Sequence, residues 1–179
     1  MTKKFFLNLC FFPLSILSVG FLQLNISKLI SPSAVHATNW NTYNRYVESG
    51  GRNLDNGNYQ KAVDFYNKAL KIYKRDGAIF YNRALSNYEL GNYEEAIEDY
   101  KEALNLENKM RSAITHLNIG NAYKEIEEFE KALFHFNKAI SIKPNEGFYY
   151  EDRGSLYFEL EKWDEALKDY ETAKSKYLK

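Results

Sequence analysis

Apolar residues recur along this chain at intervals of three and four, and the pattern itself comes back. GNYQKAVDFYNKAL at 57–70 returns as GNYEEAIEDYKEAL at 91–104, EEFEKALFHFNKAI at 127–140 and EKWDEALKDYETAK at 161–174. Aligned on their first alanine, Ala62, Ala96, Ala132 and Ala166, the copies lie 34, 36 and 34 residues apart. A period of that size marks a stack of helical units, each too small to bury its apolar face alone. In the second copy the spacing predicts a first helix over 77–89, a turn at Leu90-Gly91-Asn92 and a second helix over 93–106.

Small residues recur where helices must approach closely. Gly50, Ala84, Gly120 and Gly154 sit midway along the first helices, and Ala69, Ala103, Ala139 and Ala173 follow seven residues after the first alanines. Large aromatics accompany them, Tyr59, Tyr93, Phe129 and Trp163 opening the second helices and Tyr66, Tyr100, Phe136 and Tyr170 following seven residues on. Such rings are expected to fill the space between helices. In its small residue, alanines, aromatics and Pro144, the third copy in particular resembles the tetratricopeptide repeat family. That resemblance implies an all-α, right-handed α-solenoid of four helix-turn-helix repeats, at 43–76, 77–112, 113–146 and 147–179, after a linker at 38–42.

Two departures qualify it. The first copy has Ser49, Gly50, Gly51 and Asn53 where apolar, small and aromatic residues would recur, so its first helix is expected to be the loosest. The chain also ends without an extra polar helix, and Lys174 stands where Leu70, Leu104 and Ile140 stand earlier. The last helix is therefore expected to cap itself, with Tyr170, Ala173 and Tyr177 partly exposed and open to a homodimer contact.

The first 37 residues follow other rules. Lys3 and Lys4 precede an apolar run from Phe5 to Leu24, and Val35-His36-Ala37 has the small-residue form of a peptidase site after the helix breaker Pro32. This is the order of a secretory signal peptide; the alternative is an uncleaved anchor through residues 5–24. Either places the repeats across a membrane, in a periplasm, a thylakoid lumen or the extracellular space. The whole chain has no net charge, but Lys3, Lys4 and Lys28 belong to the leader and no carboxylate does, so the chain from Thr38 is mildly acidic. Its one cysteine, Cys10, also leaves, which excludes disulfides and thiolate chemistry from the repeats.

Catalytic constellations are missing from the sequence. His116 and His135 are the histidines left to the repeats, and His116 aligns with the aromatic places Tyr46, Phe80 and Tyr150. No nucleophile elbow, phosphate loop or His-Glu-x-x-His motif occurs, so no catalytic residue, metal or cofactor is expected. Dispersed lysines and an acidic balance argue against nucleic acid.

What remains is the concave face that the first helices of such an array would line. It is expected to carry Tyr81, Asn82, Leu85, Tyr88 and Glu89 from the second repeat, Leu117, Asn118, Asn121, Lys124 and Glu125 from the third, and Asp152, Phe158 and Glu159 from the fourth. Glu48, Asp55 and Glu151 add further carboxylates, and Lys124 is the only base in this set. An acidic channel with aromatic walls suits an extended or helical protein segment with basic or apolar side chains. Asn82 and Asn118, at equivalent places, resemble the asparagine ladder by which some members of the family hold a peptide backbone. The expected function is a non-enzymatic scaffold or assembly factor. The alternative is an accessory to a cell-envelope enzyme that presents a polymer or lipid.

Overall fold

A computed structural model describes residues 32–106 and 112–178. The repeats form a compact unit of their own, Asn39–Lys179. The proposed signal or anchor at 1–37 lies almost wholly outside the described residues. Among those described, no helix is long and apolar enough to cross a membrane.

Among the described residues eight helices follow in order: α1 (Pro32–Asp55), α2 (Tyr59–Ile72), α3 (Gly77–Glu89), α4 (Tyr93–Leu106), α5 (Ser112–Glu125), α6 (Phe129–Ile142), α7 (Gly147–Glu159) and α8 (Trp163–Tyr177). No strand occurs among the described residues, and the array is the all-α solenoid the period implies. The helices pair as α3 with α4, α5 with α6 and α7 with α8, and each second helix touches the first helix of the next pair. Residues 38–42, expected as a linker, continue α1, which starts at Pro32, a residue whose fixed φ and missing N–H suit a helix start.

The small residues and rings meet as their spacing requires. Ala62, Ala84, Ala96, Ala103, Ala132 and Ala139 are fully buried, as are Tyr66 and Phe136. A methyl placed on Gly120 would lie 2.6 Å from the Phe136 ring, and one on Gly50 would lie 2.5 Å from Tyr66. The degenerate first repeat therefore packs by the same device as the third. Tyr43 on α1 is buried, and its hydroxyl donates to Asp76, whose Oδ1 caps α3 by accepting from the Ala78 and Ile79 amides at 3.0 and 3.3 Å.

The turn within each helix pair holds one residue in the left-handed region. Gly57 and Gly91 take it at φ +72° and +80°, and Glu127 and Glu161 take it at +60° and +57°. At the C-terminal end, Tyr170 and Tyr177 are exposed as expected. Ala173 is not: its backbone and Tyr177 close over Gly147, the first residue of α7.

Candidate functional site

Side chains of α3 and α5, two consecutive first helices, meet one another. Asn118 Nδ2 donates to the Tyr81 hydroxyl at 3.0 Å, and the Tyr81 ring meets Tyr100 edge-on with centroids 5.5 Å apart. Above this pair a cavity of about 140 Å³ is lined by Leu85, Tyr88, Glu89, Tyr100, Asn118 and Asn121. Five of those six were expected on the groove; Tyr100 was assigned to the core. It is 1% exposed, and burial raises its hydroxyl pKa, so it stays a neutral hydrogen-bonding floor.

The wall is acidic. Burial first, then Glu125, Tyr93, Glu89 and Asp152, push the Tyr88 hydroxyl up to about 12. Carboxylates from α3, α5 and α7 thus act together on one phenol. Asp152 is itself half-buried, and its carboxyl is raised by burial, opposed by Lys124 and reinforced by Glu151. Lys124 Nζ donates to Glu159 Oε1 at 2.9 Å, so the one base of the expected groove is paired within it.

The other expected residues are placed differently. Leu117 is 5% exposed and belongs to the main core cluster with Tyr149 and Leu156, so it supports α5 from beneath and is no groove wall. The reason is that α7 stacks against α5. Asn82 is half-buried and does not line the cavity, and its backbone carbonyl accepts from the Ser86 hydroxyl at 2.9 Å. Phe158 is more than half exposed and leans edge-on against Trp163, with centroids 4.9 Å apart.

Two ion pairs were not anticipated from the sequence. Arg83 grips Asp99 through Nε and Nη2 at 2.7 and 2.6 Å and donates Nη1 to Asn67. Arg153 repeats this on Asp169 and Asn137. The signal was available: both pairs are 16 residues apart and both occupy the same places in their repeats. In the third repeat Ile119 and His135 stand there instead, and His135 Nδ1 lies 2.9 Å from His116 Nδ1.

Comparison with known proteins agrees with the repeat. The chain matches the tetratricopeptide repeat family over residues 75–145 and again over 53–76. Stress-induced-phosphoprotein 1 of Caenorhabditis elegans is 36% identical over 62 residues, which are 35% of this chain and 19% of that protein. The chain thus spans about a fifth of that relative. The crystal structure of MamA superposes with a TM-score of 0.71 at 24% identity, covering 80% of this chain and 83% of that one. YrrB, described as a tetratricopeptide repeat protein with an unusual peptide-binding site, gives 0.62 at 19% identity, covering 73% and 66%. These structural likenesses are of fold.

Proposed function

For a chain whose residues 53–145 belong to the tetratricopeptide repeat family, we propose a non-enzymatic scaffold or assembly factor that holds a basic segment of a partner protein in the groove of its first helices. The observation that carries this reading is the convergence of Glu89, Glu125 and Asp152 on Tyr88, beside a cavity floored by Tyr100 and edged by Asn118 and Asn121. A lysine or arginine entering there meets carboxylates from three helices and an aromatic face, the two features that attract an organic cation. The amides of Asn118 and Asn121 supply donors and acceptors for the peptide units beside it. Peptide binding by a similarly folded protein supports the class of ligand. The leader of Lys3, Lys4 and the apolar run supports action outside the cytoplasm.

The test is crosslinked capture from native extract, with the wild type beside Glu89→Lys/Glu125→Lys. Both glutamates are exposed, so their reversal spares the core. One protein retained by the wild type, lost by the variant and weakened by salt carries the reading. Equal capture by both, at low and high salt alike, would remove the groove from the account.

A further inference from the structure

The outer side of α8 lacks the cover that its counterparts have. Trp163, Leu167 and Tyr170 stand where Tyr93, Ile97 and Tyr100 stand on α4 and where Phe129, Leu133 and Phe136 stand on α6. There the next first helix, α5 or α7, packs against the second helix, and Ile97 is left 4%, Tyr100 1% and Phe136 0% exposed. On α8 Trp163 is 54% exposed, Leu167 58% and Tyr170 39%. Phe158 joins the patch through its edge-on contact with Trp163. A patch of large apolar side chains of this kind marks an interaction face.

The first helix of the array is finished differently. Arg45 of α1 stands at the place of Ile79, Thr115 and Tyr149, and Arg52 at that of Ser86, Ala122 and Leu156, all six of them buried. Both arginines are exposed. Seating α1 of one copy on α8 of another, head to tail, would bury both cations at places that are uncharged in every later repeat. The helix α8, by contrast, carries its own complement. Asp164 and Glu165 lie in its first turn, and Lys174 and Lys176 in its last. Lys174 also interrupts the apolar stripe, at the place of Leu104 and Ile140. A purely apolar partner would strand that ammonium. A second α8 running antiparallel brings it the carboxylates of a first turn, whereas a parallel one sets like charges side by side.

We propose that two copies of this chain pair through their α8 helices, antiparallel about a twofold axis near Tyr170. Trp163 of one copy then packs at the Leu178 end of the other, and Leu167 lies under the stem of Lys174, whose ammonium reaches the flanking Asp164. A twofold contact of this kind closes the assembly at two copies. It uses no residue that lines the cavity between α3 and α5.

Sedimentation velocity of the repeat unit Asn39–Lys179, which is compact by itself, measures the pairing over a range of protein concentrations. A reversible equilibrium between monomer and dimer is expected, with a Kd of about micromolar order, as suits an interface of one helix from each copy. Leu167→Glu, at an exposed position outside the core, should weaken it by about tenfold or more, and so should Lys174→Glu. Orientation is read by thiol coupling, since the chain's one cysteine, Cys10, lies outside this unit. Glu171→Cys, near the axis, should couple to its twin through a short bis-maleimide. Leu178→Cys, whose twin would lie about 20 Å away, should not. Glu89→Lys/Glu125→Lys in the groove pairs as the wild type does. The proposal is overturned by a monomer at every concentration, by open-ended growth, which would mean head-to-tail stacking, by a dimer that Leu167→Glu leaves intact, or by coupling of Leu178→Cys in place of Glu171→Cys.

Discussion

Asn118 of α5 donates its amide to the Tyr81 hydroxyl of α3 across 3.0 Å, tying two first helices together at the groove floor. Tyr81→Phe keeps the ring on Tyr100 and removes the acceptor. Stability should fall by about 0.5–1.5 kcal/mol in urea denaturation, the net worth of one such bond. Partner capture should fall with it, because Asn118 loses the contact that orients it toward the cavity. A variant of unchanged stability and capture would show that the bond does neither.

The left-handed turn residues differ in cost. Glycine adopts that conformation freely and glutamate does not. Glu127→Gly and Glu161→Gly should therefore each raise stability, by about 0.5–1 kcal/mol once glycine's greater unfolded-state entropy is subtracted. Thermal unfolding of the two single variants checks this, and a lowered midpoint in both would refute it.

His116 and His135 make stability depend on pH. Burial, then Lys138, lowers the His116 pKa; burial, then His116 and Lys101, lowers His135 to about 4. Tyr123 and Phe134 complete the surroundings of the pair. A lowered folded pKa means that the unfolded chain takes up the proton first as pH falls. The contribution is whole above about pH 6.5 and is lost between there and about 4, on the order of 1–2 kcal/mol. The first repeat holds Tyr46 and Phe65 at the same places, with centroids 6.3 Å apart. His116→Tyr/His135→Phe should accordingly lose less stability than the wild type between pH 7 and pH 5. Equal losses would mean that other groups set the dependence.

Two helical glycines should respond oppositely to alanine. Gly120→Ala drives a methyl into Phe136 and should cost about 1 kcal/mol or more. Gly51 has nothing within 4 Å, and Gly51→Ala should gain about 0.5–1 kcal/mol from helix propensity. Paired denaturation curves decide it, and the same sign of change for both would contradict the packing described.

Much of the fold was legible because its rules are local and recur. The 34-residue period, the small residues set against rings and the Gly-Asn turns placed α3 and α4 within the bounds observed. Periodicity also put Leu85, Tyr88, Glu89, Asn118 and Asn121 on one face, where a single cavity gathers them. What a period cannot state is which neighbour arrives at each side chain. Leu117 shares that face in projection yet is buried, because α7 stacks against α5. Tyr100 read as core and is also the cavity floor. Asn118 and Asn82 are equivalent in sequence, yet only Asn118 meets a tyrosine hydroxyl and lines the cavity. Arg83 and Arg153 were not anticipated as partners of Asp99 and Asp169, which the fold brings within bidentate reach. The sequence by itself determined helices, turns and packing device, since these follow from residue type and spacing. The tertiary structure decided which polar groups are spent on one another, as Arg83 and Arg153 are on Asp99 and Asp169, since that depends on distances between helices far apart along the chain.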